Sequence, residues 1–321
     1  MTVIPPTLND VYAARQRIAP HLRPTALLKH PLLDEATGLS LWVKHENHNP
    51  TCAFKVRGGL NLVASLTKEE KARGIVTAST GNHGQSIGLA SRIHGVACTV
   101  FVPEGNNPEK NAAMRAYGAT VEEVGQDFDE AREQCERRAA ETGARYVHSA
   151  NEPLLLAGVG TYALEVFEHL AAADVILVPI GGGSGACGLI TVRNALRART
   201  RIIGVGAVNA PAVEQSWRGP ERVVGESANT LAEGIATRVT FDLTFGILKQ
   251  YLDDFVSLTE DELAGGVRLA LRATHNLAEG AGSASLAAAM KLKDQLAGQR
   301  VVCIMSGGNL DQAKLKWILN S

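Results

Sequence analysis

A lysine at position 55 stands in an unusual setting for a charged side chain. It follows Phe54 and precedes Val56 in the stretch PTCAFKVRGG, residues 50–59. Lysines on a solvated face usually lie among polar residues, whereas these neighbours shield the amine in part. Lys55 is therefore either a structural cation or a nucleophile that attacks a carbonyl carbon.

A glycine-rich turn, GGGSGACG, follows the apolar segment DVILVPI and precedes a predicted helix. Glycines let successive backbone N–H groups converge, and a helix N-terminus adds partial positive charge, so the turn can bind phosphate. Gly183, Gly185 and Gly188 also match G-x-G-x-x-G, but the next strand ends in Val208 and Asn209 without the acidic residue of a dinucleotide site. A tight packing turn is the alternative interpretation.

Two further junctions carry polar groups at strand ends. The loop STGNHGQS offers hydroxyl and amide groups at a helix start, where they either cap the helix or bind a carboxylate. The segment IMSGGN places Ser306 after a buried-looking strand, where its hydroxyl is either a cap or the partner of a ring nitrogen. Taken together, these groups and Lys55 are the parts needed to hold pyridoxal phosphate (PLP) and an amino acid.

Composition limits the class of protein. The 321 residues are 45% hydrophobic and 20% charged with a net charge of -1, which favours a globular soluble protein and gives no reason to expect nucleic acid or a membrane as partner. Five scattered cysteines form no zinc motif and suit a reducing cytoplasm. We predict no metal site, no secretory signal and no membrane span.

Short β-branched runs alternate with segments of helical period, which indicates an α/β fold with parallel strands. The predicted strands cover residues 41–46, 74–79, 98–103, 120–125, 144–149, 174–180, 201–208 and 301–306. The predicted helices cover residues 84–94, 108–117, 127–142, 159–171, 185–199, 260–277 and 281–296. Ligands of such folds collect at the carboxyl ends of the strands.

The sequence resembles the serine/threonine dehydratase branch of the fold type II PLP enzymes. Eight blocks run in family order from about residue 41 to 309: KHENHNPTCAFKVRGG, ASTGNHGQSIGLAS, VPEGNNPEKNAAMRAYGA, GVGTYALEVFEHL, VPIGGGSGACG, LAEGIA, EGAGSAS and MSGGN. The resemblance implies two open twisted sheets, each flanked by helices, as in the tryptophan synthase β-subunit. We predict a large cofactor-binding domain from residues 1–50 and 150–321, and a smaller inserted domain from residues 51–149.

The resemblance also implies roles for individual residues. Lys55 would carry the Schiff base and act as the general base, Phe54 would border the ring, and Ser306 would meet the pyridine nitrogen. Asn82 would bind the phenolic oxygen. The phosphate would be bound by Gly181, Gly182, Gly183, Ser184 and Gly185, and the substrate carboxylate by Ser79, Thr80, Gly81, Asn82 and His83.

Three positions depart from the commonest pattern of that family. Cys52 and Ala53 stand where glycine and serine often precede Phe-Lys. Thr80 stands where serine racemases carry a catalytic serine, so we treat it as a weaker acid/base candidate. Val208 stands where metal-dependent relatives place a glutamate, which leaves Glu214 as the remnant of that cation site.

The implied activity is PLP-dependent dehydration of a β-hydroxy-L-amino acid to a 2-oxo acid and ammonia. Some blocks look closest to a subgroup acting on bulky substrates such as phenylserine, with threonine or serine as further candidates. Racemisation and another β-elimination remain alternatives within the cofactor class. A nicotinamide-dependent dehydrogenase and a catalytically silent binding protein are alternatives from other classes. The family suggests a homodimer. Because the sequence ends at Ser321, soon after MSGGN, we expect no isoleucine-binding regulatory domain.

Overall fold

The computed structural model describes residues 3–321, which form ten strands and fourteen α-helices. The strands are β1 Leu27–Lys29, β2 Ser40–His45, β3 Ile75–Ala78, β4 Cys98–Val102, β5 Thr120–Glu123, β6 Arg145–Tyr146, β7 Val175–Pro179, β8 Arg201–Ala207, β9 Asp254–Leu258 and β10 Arg300–Met305. The helices are α1 Leu8–Ile18, α2 Pro31–Thr37, α3 Lys55–Ala64, α4 Lys68–Arg73, α5 Asn82–His94, α6 Pro108–Ala116, α7 Phe128–Thr142, α8 Pro153–His169, α9 Ser184–Ala195, α10 Ala212–Arg218, α11 Asp242–Tyr251, α12 Glu260–Thr274, α13 Gly280–Lys291 and α14 Gln312–Asn320.

The strands form two separate sheets. One has six strands in the order β1-β2-β10-β7-β8-β9, and the other has four in the order β5-β4-β3-β6. All neighbouring strands run parallel except β1 and β2. This confirms the predicted α/β class with two sheets flanked by helices.

The chain divides into two compact units. The smaller comprises residues 3–23 and Lys55–Val159 and contains the four-stranded sheet. The larger comprises Pro24–Phe54 and Gly160–Ser321 and contains the six-stranded sheet. These boundaries differ from the predicted ones at the N-terminus, because α1 packs against α3 and so residues 3–23 cluster with the smaller unit.

Each unit has its own apolar core, built from the residue pattern of its elements. In the larger unit, the β-branched central strands bury one face against α13, whose alanines allow a close approach to the sheet. In the smaller unit, α3 and α5 pack together over β3 and β4. Within residues 3–321, no helix combines the length and the apolar composition needed to cross a membrane.

All eight predicted strands are present, with ends that differ by a few residues. The strands β1 and β9 and several helices were not predicted. The most important of these helices for function is α3, because it begins at Lys55 itself. The residues before its first turn form irregular backbone, so no hydrophobic periodicity predicts where the helix begins.

Cys52 adopts a left-handed backbone conformation, with φ of 52°. Its N–H donates to the Asn49 carbonyl (2.7 Å) and its carbonyl accepts from the Gly308 N–H (2.8 Å), so both sides of the residue are fixed. Glycine adopts this conformation without the steric cost that a Cβ imposes. The backbone therefore explains why glycine is common here, and why a cysteine at this position is strained.

We expect the stability of Cys52 variants to depend on backbone strain rather than on loss of the thiol. Because a β-branched side chain fits φ > 0 poorly, Cys52→Val should unfold with a free energy roughly 1–2 kcal/mol below that of Cys52→Gly in urea titrations. Cys52→Ala keeps the Cβ and removes the sulfur, so it should match the native protein. Equal stability of the Val and Gly variants would contradict the strain.

Candidate active site

In the smaller unit, Lys55 is held at the start of α3 by contact with α5. The backbone carbonyl of Lys55 accepts a hydrogen bond from Ser86 Oγ (2.6 Å), and a Cβ on Gly59 would collide with the same serine. Although part of the Lys55 side chain still meets solvent, burial lowers the pKa of its amine to about 8. An appreciable fraction of this amine is thus neutral near pH 7.5, as a nucleophile or base must be.

The loop Ser79–His83 joins β3 to α5, as its sequence predicted. Ser79 Oγ accepts from the N–H groups of Gly81 (3.2 Å) and Gly84 (2.9 Å), and so fixes the turn. The Ser79 side chain is buried, Asn82 is half-buried and Thr80 is exposed. The hydroxyl of Ser79 thus has a structural task, while Thr80 and Asn82 lie where a ligand could meet them.

The imidazole of His83 is buried and neutral. The Thr77 hydroxyl donates its single proton to the Val147 carbonyl (2.8 Å), so in its 3.0 Å contact with Thr77 the ring nitrogen Nε2 of His83 must be the donor. Burial, followed by the nearby charge of Lys55, lowers the pKa of His83 to about 3. The side chain therefore positions the loop and does not contribute a cation to it.

Two residues near this loop were missed by sequence reasoning. If Gly81 carried a Cβ, that atom would lie 3.3 Å from Cδ and 4.0 Å from Nζ of Lys110, so a cation stands beside the loop. His148 accepts from the N–H groups of Ala150 and Asn151 (both 3.0 Å) and has its pKa lowered, chiefly by burial. Lys110 lies in the family-like block VPEGNNPEKNAAMRAYGA, and this block was the feature of the sequence from which Lys110 could have been predicted.

In the larger unit, the backbone before α3 pairs with the segment after β10. Phe54 N–H donates to the Ser306 carbonyl (3.0 Å), Ala53 bridges Gly307 in antiparallel fashion, and Asn309 Nδ2 donates to the Thr51 carbonyl (2.9 Å). The Ser306 side chain is buried, and its hydroxyl makes a long contact with the Ala281 carbonyl (3.4 Å). Phe54 and Ser306, which the sequence separates by more than 250 positions, are thus brought together.

The glycine turn opens α9 at the end of β7. Gly183 has φ of 89° and caps α9 without any side-chain hydrogen bond, so the helix begins on backbone alone. The Gly185 carbonyl accepts from Tyr162 Oη (2.7 Å), and the Tyr162 ring packs edge-on against Phe54, with 6.3 Å between ring centroids. Because β7 and β10 are adjacent and parallel, this turn and Ser306 follow the same sheet edge.

Buried charges support the segment that leads to Phe54. Lys44 and Glu46 are fully buried, and Lys44 Nζ forms an ion pair with Glu165 while donating to the Thr25 carbonyl (2.7 Å). Glu46 accepts from Thr25 Oγ1 (2.6 Å) and from Asn49 Nδ2 (2.9 Å). Sequence reasoning missed this network, since nothing in the pattern KHEN distinguishes a buried pair from an exposed one.

The residues present fit the groups of PLP. The phosphate is an anion, and α9 begins at a glycine turn with no side-chain cap. The pyridine nitrogen calls for a hydrogen-bonding partner, which the Ser306 hydroxyl can supply, and the aldehyde calls for an amine with a lowered pKa, as Lys55 has. The roles of Asn82, Gly181, Gly182 and Ser184 stay predictions.

The predicted remnant of a cation site does not fit a metal ion. Val208 is half exposed and has no ligating atom, and both carboxylate oxygens of Glu214 are already engaged by Arg218 and Ser257. Across residues 3–321, no three His, Cys, Asp or Glu side chains are grouped so that they could hold a metal ion.

Comparison with known proteins agrees with this chemistry. Residues 18–307 match the family described as pyridoxal-phosphate dependent enzyme. The L-threonine ammonia-lyase of Thermotoga maritima is 38% identical over 98% of this chain and 78% of its own length. The beta-hydroxyaspartate dehydratase of Paracoccus denitrificans is 32% identical over 97% of this chain and 99% of its own.

The structure is also similar to that of maize serine racemase, with a TM-score of 0.93, 26% identity, and coverage of 99% of this chain and 98% of that one. The family match covers far more than half of the chain, so the cofactor expected from the residues is confirmed. The match argues against the nicotinamide-dependent alternative. The chain belongs to the pyridoxal-phosphate-dependent enzymes of fold type II.

Proposed function

We propose that the protein is a carbon–oxygen lyase that dehydrates a β-hydroxy-L-amino acid and releases a 2-oxo acid and ammonia. The observation that carries this proposal is a Lys55 amine with its pKa lowered to about 8 beside the loop Ser79–His83, in a chain 38% identical to an L-threonine ammonia-lyase. PLP, when bound, withdraws electrons from Cα of the amino acid. The remaining steps fall to side chains of this chain.

Lys55 has two tasks in this proposal. Its neutral amine would hold the cofactor through the aldehyde carbon, and once a substrate amine has taken that place, the freed Lys55 amine would accept the proton from Cα. His83 is too weak a base to compete for that proton, because burial lowers its pKa to about 3, far below that of the Lys55 amine. Loss of the Cα proton and of the β-hydroxyl together removes one water from the substrate, and the enamine that is released would take up another water to give the 2-oxo acid and ammonia.

The remaining residues bind and orient. The turn of Gly181, Gly182, Gly183, Ser184 and Gly185 holds the phosphate, Asn82 holds the phenolic oxygen, Phe54 borders the ring, and Ser306 partners the pyridine nitrogen. A hydroxyl at that nitrogen leaves it largely unprotonated, which favours elimination over a long-lived carbanion. Ser79, Thr80, Gly81, Asn82 and His83 form the loop for the substrate carboxylate, with the Ser79 and His83 side chains fixing its shape.

We propose a bulky β-hydroxy amino acid such as phenylserine as substrate, with threonine and serine as the smaller candidates. A racemase is the second candidate, supported by the likeness to maize serine racemase. Thr80 argues for the lyase, because a β-branched alcohol is a poorer acid/base than serine on the opposite face of the substrate. A cytoplasmic homodimer remains a prediction.

Replacing Lys55 tests the assignment of the base. We expect Lys55→Ala to lose the absorbance band near the visible edge and to lose turnover by at least roughly 10²–10⁴-fold. Borohydride should fix the cofactor to the peptide that contains Lys55 in the native protein. Lys68→Ala, which removes an exposed lysine of the same unit, serves as the control. A Lys55→Ala protein with native absorbance and turnover would contradict the assignment.

The lowered pKa of Lys55 predicts how cofactor capture depends on pH. Below about pH 8 the amine is protonated and cannot attack the aldehyde, so the rate at which the cofactor-free protein takes up PLP should rise with pH and level off above about 8. Stopped-flow absorbance would follow this rate. His83 is neutral throughout this range because its pKa is about 3, and burial lowers the pKa of His148 as well. A rate that still rises towards pH 10 would show an ordinary lysine.

A panel of substrates separates the lyase from the racemase. Phenylserine, threonine, serine and β-hydroxyaspartate would each be assayed for release of the 2-oxo acid, and the residual amino acid would be analysed by chiral chromatography. We expect the 2-oxo acid as the main product, with phenylserine or threonine turned over fastest. Formation of the enantiomer without 2-oxo acid would replace the lyase by the racemase.

A further inference from the structure

The segment after β8, residues 208–219, is fastened by two cationic side chains of this chain. It contains Val208, α10 and the cap residue Gly219 of that helix. One cation, Arg218, lies within α10, and the other, Lys249, reaches it from α11. All these residues belong to the larger unit.

Arg218 occupies the position next to Glu214 that a metal ion would need. Its Nε donates to Glu214 Oε1 (2.8 Å), while the Ser257 hydroxyl donates to Glu214 Oε2. The same guanidinium donates to the Phe255 carbonyl, lies 3.8 Å from Asp254, and stacks over the Trp217 ring with 5.3 Å to the centroid. A divalent ion at Glu214 would therefore have to displace a guanidinium that also ties α10 to β9.

Lys249 fills a cluster of backbone carbonyls at the C-terminal end of α10, where Arg218 is the last helical residue. Its ammonium donates to the carbonyls of Trp217 (2.6 Å), Gly219 (2.6 Å) and Ser216 (3.4 Å). The last carbonyls of a helix lack partners within the helix and carry partial negative charge, so they attract a cation. Three converging carbonyls are also the kind of site that holds a potassium ion.

We propose that Arg218 and Lys249 act as built-in cations, which hold residues 208–219 in place without an added divalent or monovalent metal ion. A lysine ammonium and a potassium ion have the same charge and similar contact distances to carbonyl oxygen. Removing the ammonium therefore converts the Lys249 position into a vacant site for potassium or ammonium ions.

The fastening extends to the glycine turn. Trp217 Nε1 donates to the Leu248 carbonyl (3.1 Å), and a Cβ on Gly183 would lie 3.0 Å from both Leu248 Cδ1 and Thr244 Cβ. The helix that carries Lys249 thus packs directly against the turn. If that turn binds the phosphate, which rests on the proposed function, loosening α10 and α11 weakens retention of PLP.

The test is cation rescue of Lys249→Met, which removes the ammonium and keeps a long apolar stem. The full-length protein, as purified, would be melted in chloride salts of tetramethylammonium, sodium, potassium and ammonium at matched ionic strength. In tetramethylammonium, we expect Lys249→Met to melt about 2–6 °C below the native protein, a range set by the small Tm change per unit of stability in a chain of this size. Potassium or ammonium should restore more than half of that loss.

Two controls complete the design. Lys316→Met removes an exposed lysine of α14 and should show neither the loss nor the rescue. The native protein should melt at the same temperature in all four salts, and with either magnesium or a chelator. A second readout is the rate at which PLP is lost on dilution, which should rise in Lys249→Met and fall again with potassium.

Three results would overturn the proposal. These are native-like melting of Lys249→Met in tetramethylammonium, equal effects of tetramethylammonium and potassium on that variant, and stabilisation of the native protein by potassium or magnesium. Should Lys249→Met not fold, the salt series on the native protein still decides. Because melting does not depend on the reaction catalysed, failure here leaves the lyase assignment untouched, and failure of the amino acid assays leaves the built-in cations untouched.

Discussion

In the larger unit, the antiparallel contact of residues 51–54 with residues 306–309 holds two of the candidate site residues in place. It fixes the backbone of Phe54 and places Ser306 beside it. The contact exists because α13 approaches the second segment very closely: a Cβ on Gly282 would overlap the Gly307 carbonyl oxygen. The glycine there is a requirement of space, and the left-handed Cys52 is the strain that accompanies the resulting turn.

The buried ion pair of Lys44 and Glu165 serves geometry more than stability. Two charges removed from water lose hydration that their attraction only partly restores, so such pairs add little net stability. Removing Lys44, however, would leave the fully buried Glu46 carboxylate, 4.0 Å from its ammonium, without a cation, and such a loss costs roughly 3–5 kcal/mol. Thr25 and Asn49 complete the hydrogen bonds around Glu46, which ties the strand β2 to the turn before Phe54. The network therefore excludes other conformations of that turn.

The sequence predicted the turns at the strand ends of the candidate site, but not the hydrogen bonds that their side chains make. Strand ends followed by glycine and serine announced the turn at Gly183 and the loop at Ser79, because parallel sheets place such turns at one edge. Sequence left capping and ligand binding open for Ser79, whose hydroxyl accepts from the local N–H groups of Gly81 and Gly84. It could not show the contact of His83 with Thr77, since Thr77 and Val147 become neighbours only through the pairing of β3 and β6. Short strands such as β1 were not predicted, because three residues are too few to show an alternating pattern.

Burial lowers the pKa of both Lys55 and His83 in the smaller unit, with different consequences for the two side chains. Desolvation disfavours the charged form, so it lowers the pKa of lysine and histidine alike. For His83, with an ordinary pKa already near neutrality, the shift to about 3 removes any charge change from the working range. For Lys55, the same effect brings the pKa from far above neutrality to about 8. Desolvation therefore keeps His83 neutral and brings the pKa of Lys55 close to neutrality. Of these two side chains, Lys55 is the one whose charge changes near neutral pH.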